Sequence, residues 1–393
     1  MISLLEARQI ISGAIAPKNP TAVPLSKAKD RVLSKPVLAD VDYPDSDRAT
    51  MDGYATLPDE SATDLSVAGE LRAGAIGNTP LASGQAIRIF TGATLPPGAG
   101  QVIPQEQVER SGDRIRIVRP EASNFIRRRG EEARAGDIVL PRNTFIGAAE
   151  LAVLAQMGVV APEVVAPPVI RHLATGDELV SPSETPTAGA VRDSNSTLIA
   201  SLASDWGLQL ASSQRARDSL PAIADFLNEP ADLYLLSGGA SVGDYDLGAK
   251  ALERAGFDIH FRQINLRPGK PLTFGTRGTS AAFVLPGNPV AHFVCWHLAV
   301  KLALNRFLGL NSDWNLLDLD LLEGSLPRFD SRETFCPAKT VIRNGSLGVI
   351  PKPWSTSGNT FALIDTNSLV RIDGSSTPEK KVSTLIVGKL TAA

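Results

Sequence analysis

From about Val169 to Leu310 the chain alternates short apolar runs with helical patterns, and this rhythm limits the fold more than any other feature. Val169–Leu173, Leu233–Leu236 and Ala281–Leu285 read as strands. Ser196–Trp206 and Leu247–Ala255 read as helices, the first with Asp193 or Asn195 near its cap, and a long helix begins near Pro289. Strands that alternate with helices give a mostly parallel, doubly wound sheet covered on both faces. Ligands on such sheets bind in the loops at the carboxyl ends of the strands.

Four loops in this part carry the expected chemistry. They are Ala174-Thr175-Gly176-Asp177-Glu178-Leu179, the run from Ser237 to Asp246, Arg267-Pro268-Gly269-Lys270-Pro271, and Leu285-Pro286-Gly287-Asn288-Pro289-Val290. Gly238, Gly239 and Gly243 let the backbone turn tightly and approach a ligand. With Ser237 and Ser241 they offer N–H and hydroxyl donors to a phosphate. Glu178, Asp244 and Asp246 are the candidate carboxylates. Two such charges ~4 Å apart repel by roughly 4 kcal/mol at an effective dielectric of 20, so converging loops would call for a cation. Oxygen ligands beside a phosphate suit Mg²⁺; the alternative is that each carboxylate caps a helix or faces solvent. Lys270, held between two prolines, suits an oxyanion or phosphate, with Arg267 as a second donor. A solvent-facing basic turn is the other reading of that loop.

Both flanks of this α/β part differ from it. Ser3 and Glu6 have capping-box spacing ahead of a helix over residues 3 to 14, and a second short helix is expected over Lys27 to Val32. Short β-like runs fill about Asp45 to Leu140, with a hairpin at Ser111-Gly112-Asp113. A helix over Gly147 to Met157 follows, so the β-rich stretch reads as an insertion in one helical domain. Beyond about Leu316, short strands imply a small β-barrel or sandwich. The expected division is 1–44 with 141–168 (helical), 45–140 (inserted β), 169–315 (α/β) and 316–393 (C-terminal β).

Composition excludes several classes. Lys and Arg total 39 against 42 Asp and Glu, so the net charge of -3 gives no basic excess for general nucleic-acid binding. Cys295 and Cys336 are the only cysteines, too few for a disulfide framework or a cysteine-rich zinc site. His172, His260, His292 and His297 lack zinc spacing; His292 and His297 sit in an apolar helix and read as structural. Val290–Leu304 is interrupted by His292, His297 and Lys301, which fits a buried helix better than a membrane span. The first residues do not read as a signal peptide, and a cytoplasmic location is expected.

Further segments complete a pattern: MDGYA at 51–55, TGA at 91–93, RRRGEE at 127–132, TGDEL at 175–179, DSN at 193–195, SGGASVGDYD at 237–246, RPGKP at 267–271 and LPGNPVA at 285–291. Alone, the first two are turns and the arginine run a solvated face. In this order and spacing they resemble the MoeA family of molybdopterin molybdenumtransferases, related to the C-terminal part of gephyrin, over nearly the whole chain. The resemblance implies elongated homodimers whose clefts join the α/β domain of one subunit to the β insertion of the other. It implies adenylylated molybdopterin and molybdate as substrates, AMP release with a divalent cation, and molybdenum left on the pterin dithiolene. The substrate's sulfurs then ligate the metal, which explains how a cysteine-poor chain handles it.

Carried onto matching positions, the resemblance makes Glu178 and Asp246 the Mg²⁺ or adenylate-phosphate carboxylates. Asp52 and Thr91 close the cleft from the other subunit, Lys270 holds anionic substrate, and Pro286 and Pro289 shape the facing loop with Gly287 and Asn288. Arg332 and Ser357 fall where molybdate is contacted. Glu132 stands where Asp is usual, Arg267 replaces a common Lys, and Pro337 takes the place of a second basic residue near Arg332. A molybdopterin adenylyltransferase-like sibling shares a similar α/β domain but does not require the other parts. A non-catalytic scaffold relative would lack intact Glu178, Asp246 and Lys270. An adenylyltransferase upstream and molybdoenzymes or their chaperones downstream are the implied partners.

Overall fold

The computed structural model describes residues 1–119, 123–238, 247–311, 314–328, 330–354, 356–374 and 381–392. Its chain-ordered elements begin with α1 (Leu4–Ala14), then β1 (Gly53–Thr56), β2 (Asp64–Leu71), β3 (Gln85–Ile89), β4 (Gln101–Pro104), β5 (Val108–Ser111), β6 (Arg114–Ile117) and α2 (Ala148–Gln156). Next come β7 (Ile170–Thr175), α3 (Asn195–Ser204), β8 (Leu210–Ala216), α4 (Leu220–Asn228), β9 (Leu233–Ser237), α5 (Leu247–Arg254), β10 (Asp258–Phe261), β11 (Thr273–Arg277), β12 (Ser280–Leu285), α6 (Pro289–Cys295) and α7 (Lys301–Phe307). Strands β13 (Leu316–Leu321), β14 (Glu333–Arg343), β15 (Ser346–Pro351), β16 (Ser368–Ile372) and β17 (Lys381–Ile386) follow.

The α/β sheet has the order β8-β7-β9-β12-β11-β10. Its first four strands are parallel, while β11 runs against both of its neighbours. Alternation along β9 sorts the core. Leu233 and Leu235 face a cluster shared with α1, α3, α6 and α7, and Tyr234 and Leu236 face the one shared with α4 and α5. Both faces are therefore covered, as the strand–helix rhythm predicts. Between α6 and α7 the helix continues through a π-helical turn, Trp296–Val300, all of it buried. No helix among the described residues is long and apolar enough to cross a membrane.

At the C-terminal end, β14-β15-β13-β17-β16 form a ribbon that closes because β14 also pairs with β16. The expectation of a barrel or sandwich resolves to a closed five-stranded barrel. Cys336 lies inside it beside Leu319, Val349 and Val370. Burial pushes its thiol up to about 12. The Cys295 thiol, also fully buried and against Gly269, is raised as well.

Contacts group the chain into two compact units. One holds residues 1–34, 145–147 and 161–393, and the other 35–144 and 148–160. This grouping is coarser than the four expected segments and splits the expected helical segment. Leu4, Ala7 and Ile11 of α1 enter the α/β core, whereas α2 belongs to the other unit. That unit contains the mixed sheet β4-β1-β3-β2-β6-β5, whose β5–β6 pair is the expected hairpin. The Ser3/Glu6 capping box forms, with Glu6 N–H donating to Ser3 Oγ at 3.1 Å and Ser3 N–H to Glu6 Oε2 at 2.8 Å. The helix expected over Lys27–Val32 does not form. A single 3₁₀ turn at Leu25–Lys27 ends there, Asp30 takes a φ of 60°, and Val32 and Leu33 bridge to Phe145 and Val164.

Candidate functional site

Strands β7, β9 and β12 finish level with one another, since Ala174 pairs with Ser237 and Ser237 with Leu285. At this edge Gly238 brings the segment after β9 against the end of β7. Gly238 has a φ of +93°, and a Cβ there would lie 2.3 Å from the Thr175 carbonyl oxygen. Its N–H donates to Leu285 O at 3.3 Å. A Cβ on Gly287 would sit 3.9 Å from Gly238 Cα. The turn at Gly238 and its approach to Thr175 require glycine, whereas the Gly287 contact is an ordinary van der Waals one. Glu178 is exposed, and its carboxylate lies over Gly176, where a Cβ would meet Oε2 at 2.8 Å. Gly239, Ser241, Gly243, Asp244 and Asp246 lie outside the described residues. No group of three or more metal-ligating side chains occurs among the described residues.

The Ser237 hydroxyl does not serve as a phosphate donor, which corrects the expectation from sequence. It is buried, 2.6 Å from His172 Nε2 and 3.2 Å from His292 Nε2. The far nitrogens fix the proton directions. His292 Nδ1 faces the Pro286 carbonyl at 3.0 Å and must donate to it, so Nε2 accepts from Ser237. Ser237 Oγ then accepts from His172 Nε2–H, and His172 Nδ1 accepts from the Ser213 hydroxyl at 3.0 Å. Each link has one donor and one acceptor only while both imidazoles are neutral. Burial holds them so, pushing His172 down to about 3 and His292 to about 4. The chain thereby fastens β7, β8, β9 and the Pro286 loop together beneath the edge.

Above this chain, polar side chains connect the loops. Asn195 Nδ2 donates to Gly287 O at 2.7 Å, and its Oδ1 is buried without a partner among the described residues. Thr175 Oγ1 is likewise buried and unpartnered among the described residues. Asp193 accepts from Ser196 N–H at 3.0 Å and so starts α3, as the DSN segment suggests. Asn288 Nδ2 donates to Ser357 Oγ at 2.8 Å, and Val290 N–H to Ser357 O at 3.0 Å, bringing Ser357 to the Pro289 turn. A mostly apolar cavity of about 580 Å³ opens beside Pro289, walled by Pro182, Leu198, Leu363 and Ile364.

A second cluster joins Arg267 and Arg332. Both guanidiniums reach Asp330 Oδ2, at 3.1 and 2.7 Å, and Arg267 lies 5.4 Å from the centre of the Trp354 ring. The guanidinium thus holds an ion pair and a cation–π contact at once. The two arginines hold the Asp330 carboxyl below its ordinary range, Arg332 foremost. Lys270 is half-buried, and its ammonium has no hydrogen-bond or ion-pair partner among the described residues. No hydrogen bond or ion pair among the described residues joins this cluster to Glu178 or Ser357. Sequence reasoning did not single out His172, Thr175, Asp330 or Trp354; only a polar His within the apolar run of β7 hinted at the first.

Asp52, Thr91 and Glu132 belong to the other compact unit. Asp52 Oδ1 accepts from both the backbone N–H and the hydroxyl of Thr91, each at 2.8 Å, and these bonds lower its pKa. The arginine run is exposed, but it is not unpaired: Arg127 meets Glu132 at 3.0 Å, Arg128 meets Asp47 at 2.7 Å, and Arg129 meets Asp42 at 2.7 Å.

Residues 2–158 match the model of the MoeA N-terminal region (domain I and II), and residues 171–306 match a probable molybdopterin binding domain. A molybdopterin molybdenumtransferase of Nostoc sp. is 33% identical over 363 residues, covering 88% of this chain and 83% of that one. This chain belongs to the molybdopterin molybdenumtransferase family. The relative of that name from Staphylococcus aureus is 28% identical over 386 residues, 95% of this chain and 92% of its own. Among solved structures, the molybdopterin biosynthesis moeA protein of Pyrococcus horikoshii OT3 superposes with a TM-score of 0.84 at 26% identity, over 98% of this chain and 100% of that chain. For a molybdopterin molybdenumtransferase, the two-part match coincides with the segments bearing Asp52 and Thr91 on one side and Glu178 to Asn288 on the other.

Proposed function

We propose that the chain inserts molybdenum into adenylylated molybdopterin, releasing AMP and leaving the metal on the pterin dithiolene. The observation that carries this reading is the level edge where β7, β9 and β12 end and Gly238 turns against the Thr175 carbonyl, beside Glu178. Such a glycine-turned edge at the carboxyl ends of parallel strands suits a phosphate-bearing ligand. Water adds to the phosphorus of the adenylyl group, the bond to the pterin phosphate breaks, and AMP leaves. Lys270 and the Arg332–Ser357 region are the reading's holders of molybdate, and the two dithiolene sulfurs of the substrate are its metal ligands.

Glu178 and the oxygens of Thr175 and Asn195, unpartnered among the described residues, are donors of the hard kind that Mg²⁺ takes. Glu178, with Asp246, would hold the ion, and it would neutralise phosphate charge. In this reading the active form is a homodimer in which Asp52 and Thr91 of a second copy complete the cleft. Its setting is the cytoplasm, between an adenylyltransferase that supplies the substrate and molybdoenzymes or their chaperones that take the product.

The test is AMP release from adenylylated molybdopterin with Mg²⁺, against molybdate and tungstate. Release that depends on both oxyanion and Mg²⁺ is expected. Tight binding without turnover would make the chain a scaffold. Consumption of ATP with free molybdopterin would make it the sibling adenylyltransferase.

A further inference from the structure

A cavity of about 330 Å³ lies away from the strand-edge loops, between α1, the π-helical turn, α7 and β17. His297 lines it, 8% exposed, with neither ring nitrogen hydrogen-bonded among the described residues. Asn305, also 8% exposed, has on the same wall an Oδ1 without a partner among the described residues. Unsatisfied polar groups buried this deeply are uncommon in folded proteins. They are costly unless something enters to meet them. The π-helical turn is a second sign, because it sets His297 and Lys301 on the cavity, and such turns recur at functional positions.

The chemistry of the lining specifies a class of ligand. Lys301 has no carboxylate partner among the described residues; its ammonium lies 5.0 Å from the centre of the Trp206 ring. His297 is kept neutral by burial, its pKa near 3, and so retains one N–H to give. The Asn305 amide can turn to present its NH₂. Arg8, on the same wall, is already engaged, bonded to Leu298 O at 2.6 Å with its guanidinium 4.6 Å from the centre of the Trp314 ring. No Asp or Glu lines the cavity among the described residues, so the lining favours an anion. Leu302, Leu317 and Leu385 form an apolar wall facing these donors, which a fully hydrated inorganic ion would leave unused.

We infer that this cavity is a second ligand site that binds a small amphiphilic carboxylate, its head on Lys301 and the His297 N–H and its apolar body on the leucines. The inference is independent of the molybdenum-inserting reading. The test uses the full-length protein with ¹³C-labelled histidine, titrated with hexanoate, hexanol and inorganic phosphate, and followed by NMR at His297 and by calorimetry. Hexanoate is expected to bind one per chain and shift the His297 signals saturably. Hexanol, with the same body and no charge, and phosphate, with charge and no body, are each expected to bind at least about tenfold more weakly. Lys301→Met is expected to weaken hexanoate by about 10- to 100-fold, the loss of one charge-assisted hydrogen bond, and to leave hexanol unchanged. Three results would overturn the inference: no shift at His297, phosphate binding as well as hexanoate, or hexanoate binding unaffected by Lys301→Met. Comparison of hexanoate with hexanol on the wild-type protein decides the matter even if the variant folds poorly.

Discussion

Replacing Ser237 with alanine removes the central link between two buried imidazoles. His172 Nε2–H then has no acceptor and His292 Nε2 has no donor, and both side chains are fully buried. The space left by one hydroxyl is too small to admit a water with the partners it needs. Each orphaned nitrogen costs about 1–3 kcal/mol, so Ser237→Ala should destabilise the protein by roughly 2–6 kcal/mol. Ser213→Ala provides the contrast. It removes the outer link from an exposed serine, so water can replace the hydroxyl and the loss should stay below about 1 kcal/mol. Urea denaturation at pH 7.5 measures both. Because the chain fastens the Pro286 loop, AMP release by Ser237→Ala should also fall while the protein remains folded. A loss below about 1 kcal/mol for Ser237→Ala, or equal losses for the two variants, would show that the proton directions assigned to this chain are wrong.

Buried imidazoles also predict a pH effect. His172, His292 and His297 lie near 3, 4 and 3 in the folded chain, against about 6.5 when unfolded, so the unfolded state alone takes up protons below that value. Their contribution is full above about pH 6.5 and is lost as pH falls toward 4, by up to about 1.4 kcal/mol per pH unit each; a flat urea midpoint between pH 7.5 and 5.5 would contradict this. Gly238→Ala forces a side chain into a φ of +93° against the Thr175 carbonyl, and circular dichroism should report a folded chain whose AMP release has dropped more than about tenfold. Lys270→Ala should weaken the molybdate dependence of AMP release by about 10- to 100-fold at an unchanged melting temperature, with Lys270→Arg recovering part. Light scattering should give a mass near twice 41.6 kDa, and a fully active monomer would remove the shared cleft.

The elements legible in the sequence are those whose interiors are apolar. Strands β7, β9 and β12 each announce themselves by a buried run, and their motif-bearing loops follow. Strand β8 does not, because Leu210–Ala216 is a polar edge strand with largely exposed side chains. The helix expected over Lys27–Val32 fails for a tertiary reason, since the backbones of Val32 and Leu33 have bridge partners more than a hundred residues away. The same limit applies within the site. The ordered motifs locate Glu178, Gly238 and Asn288, but nothing local shows that Asp330 gathers Arg267 and Arg332. Nor does the serine that opens a glycine-rich loop reveal that its hydroxyl points down into the sheet rather than up toward a ligand.

The burial of both cysteines bears on sulfur traffic. Cys295 is packed against Gly269 and Cys336 is sealed in the barrel, both with thiols shifted away from ionising. A protein that hands molybdenum to a dithiolene thereby offers no thiolate of its own to compete for it or to form a mixed disulfide with the pterin. Thiol-alkylating reagents should pass both cysteines of the folded chain by, so a loss of thiol titre during turnover would be a lesion of the substrate's sulfurs.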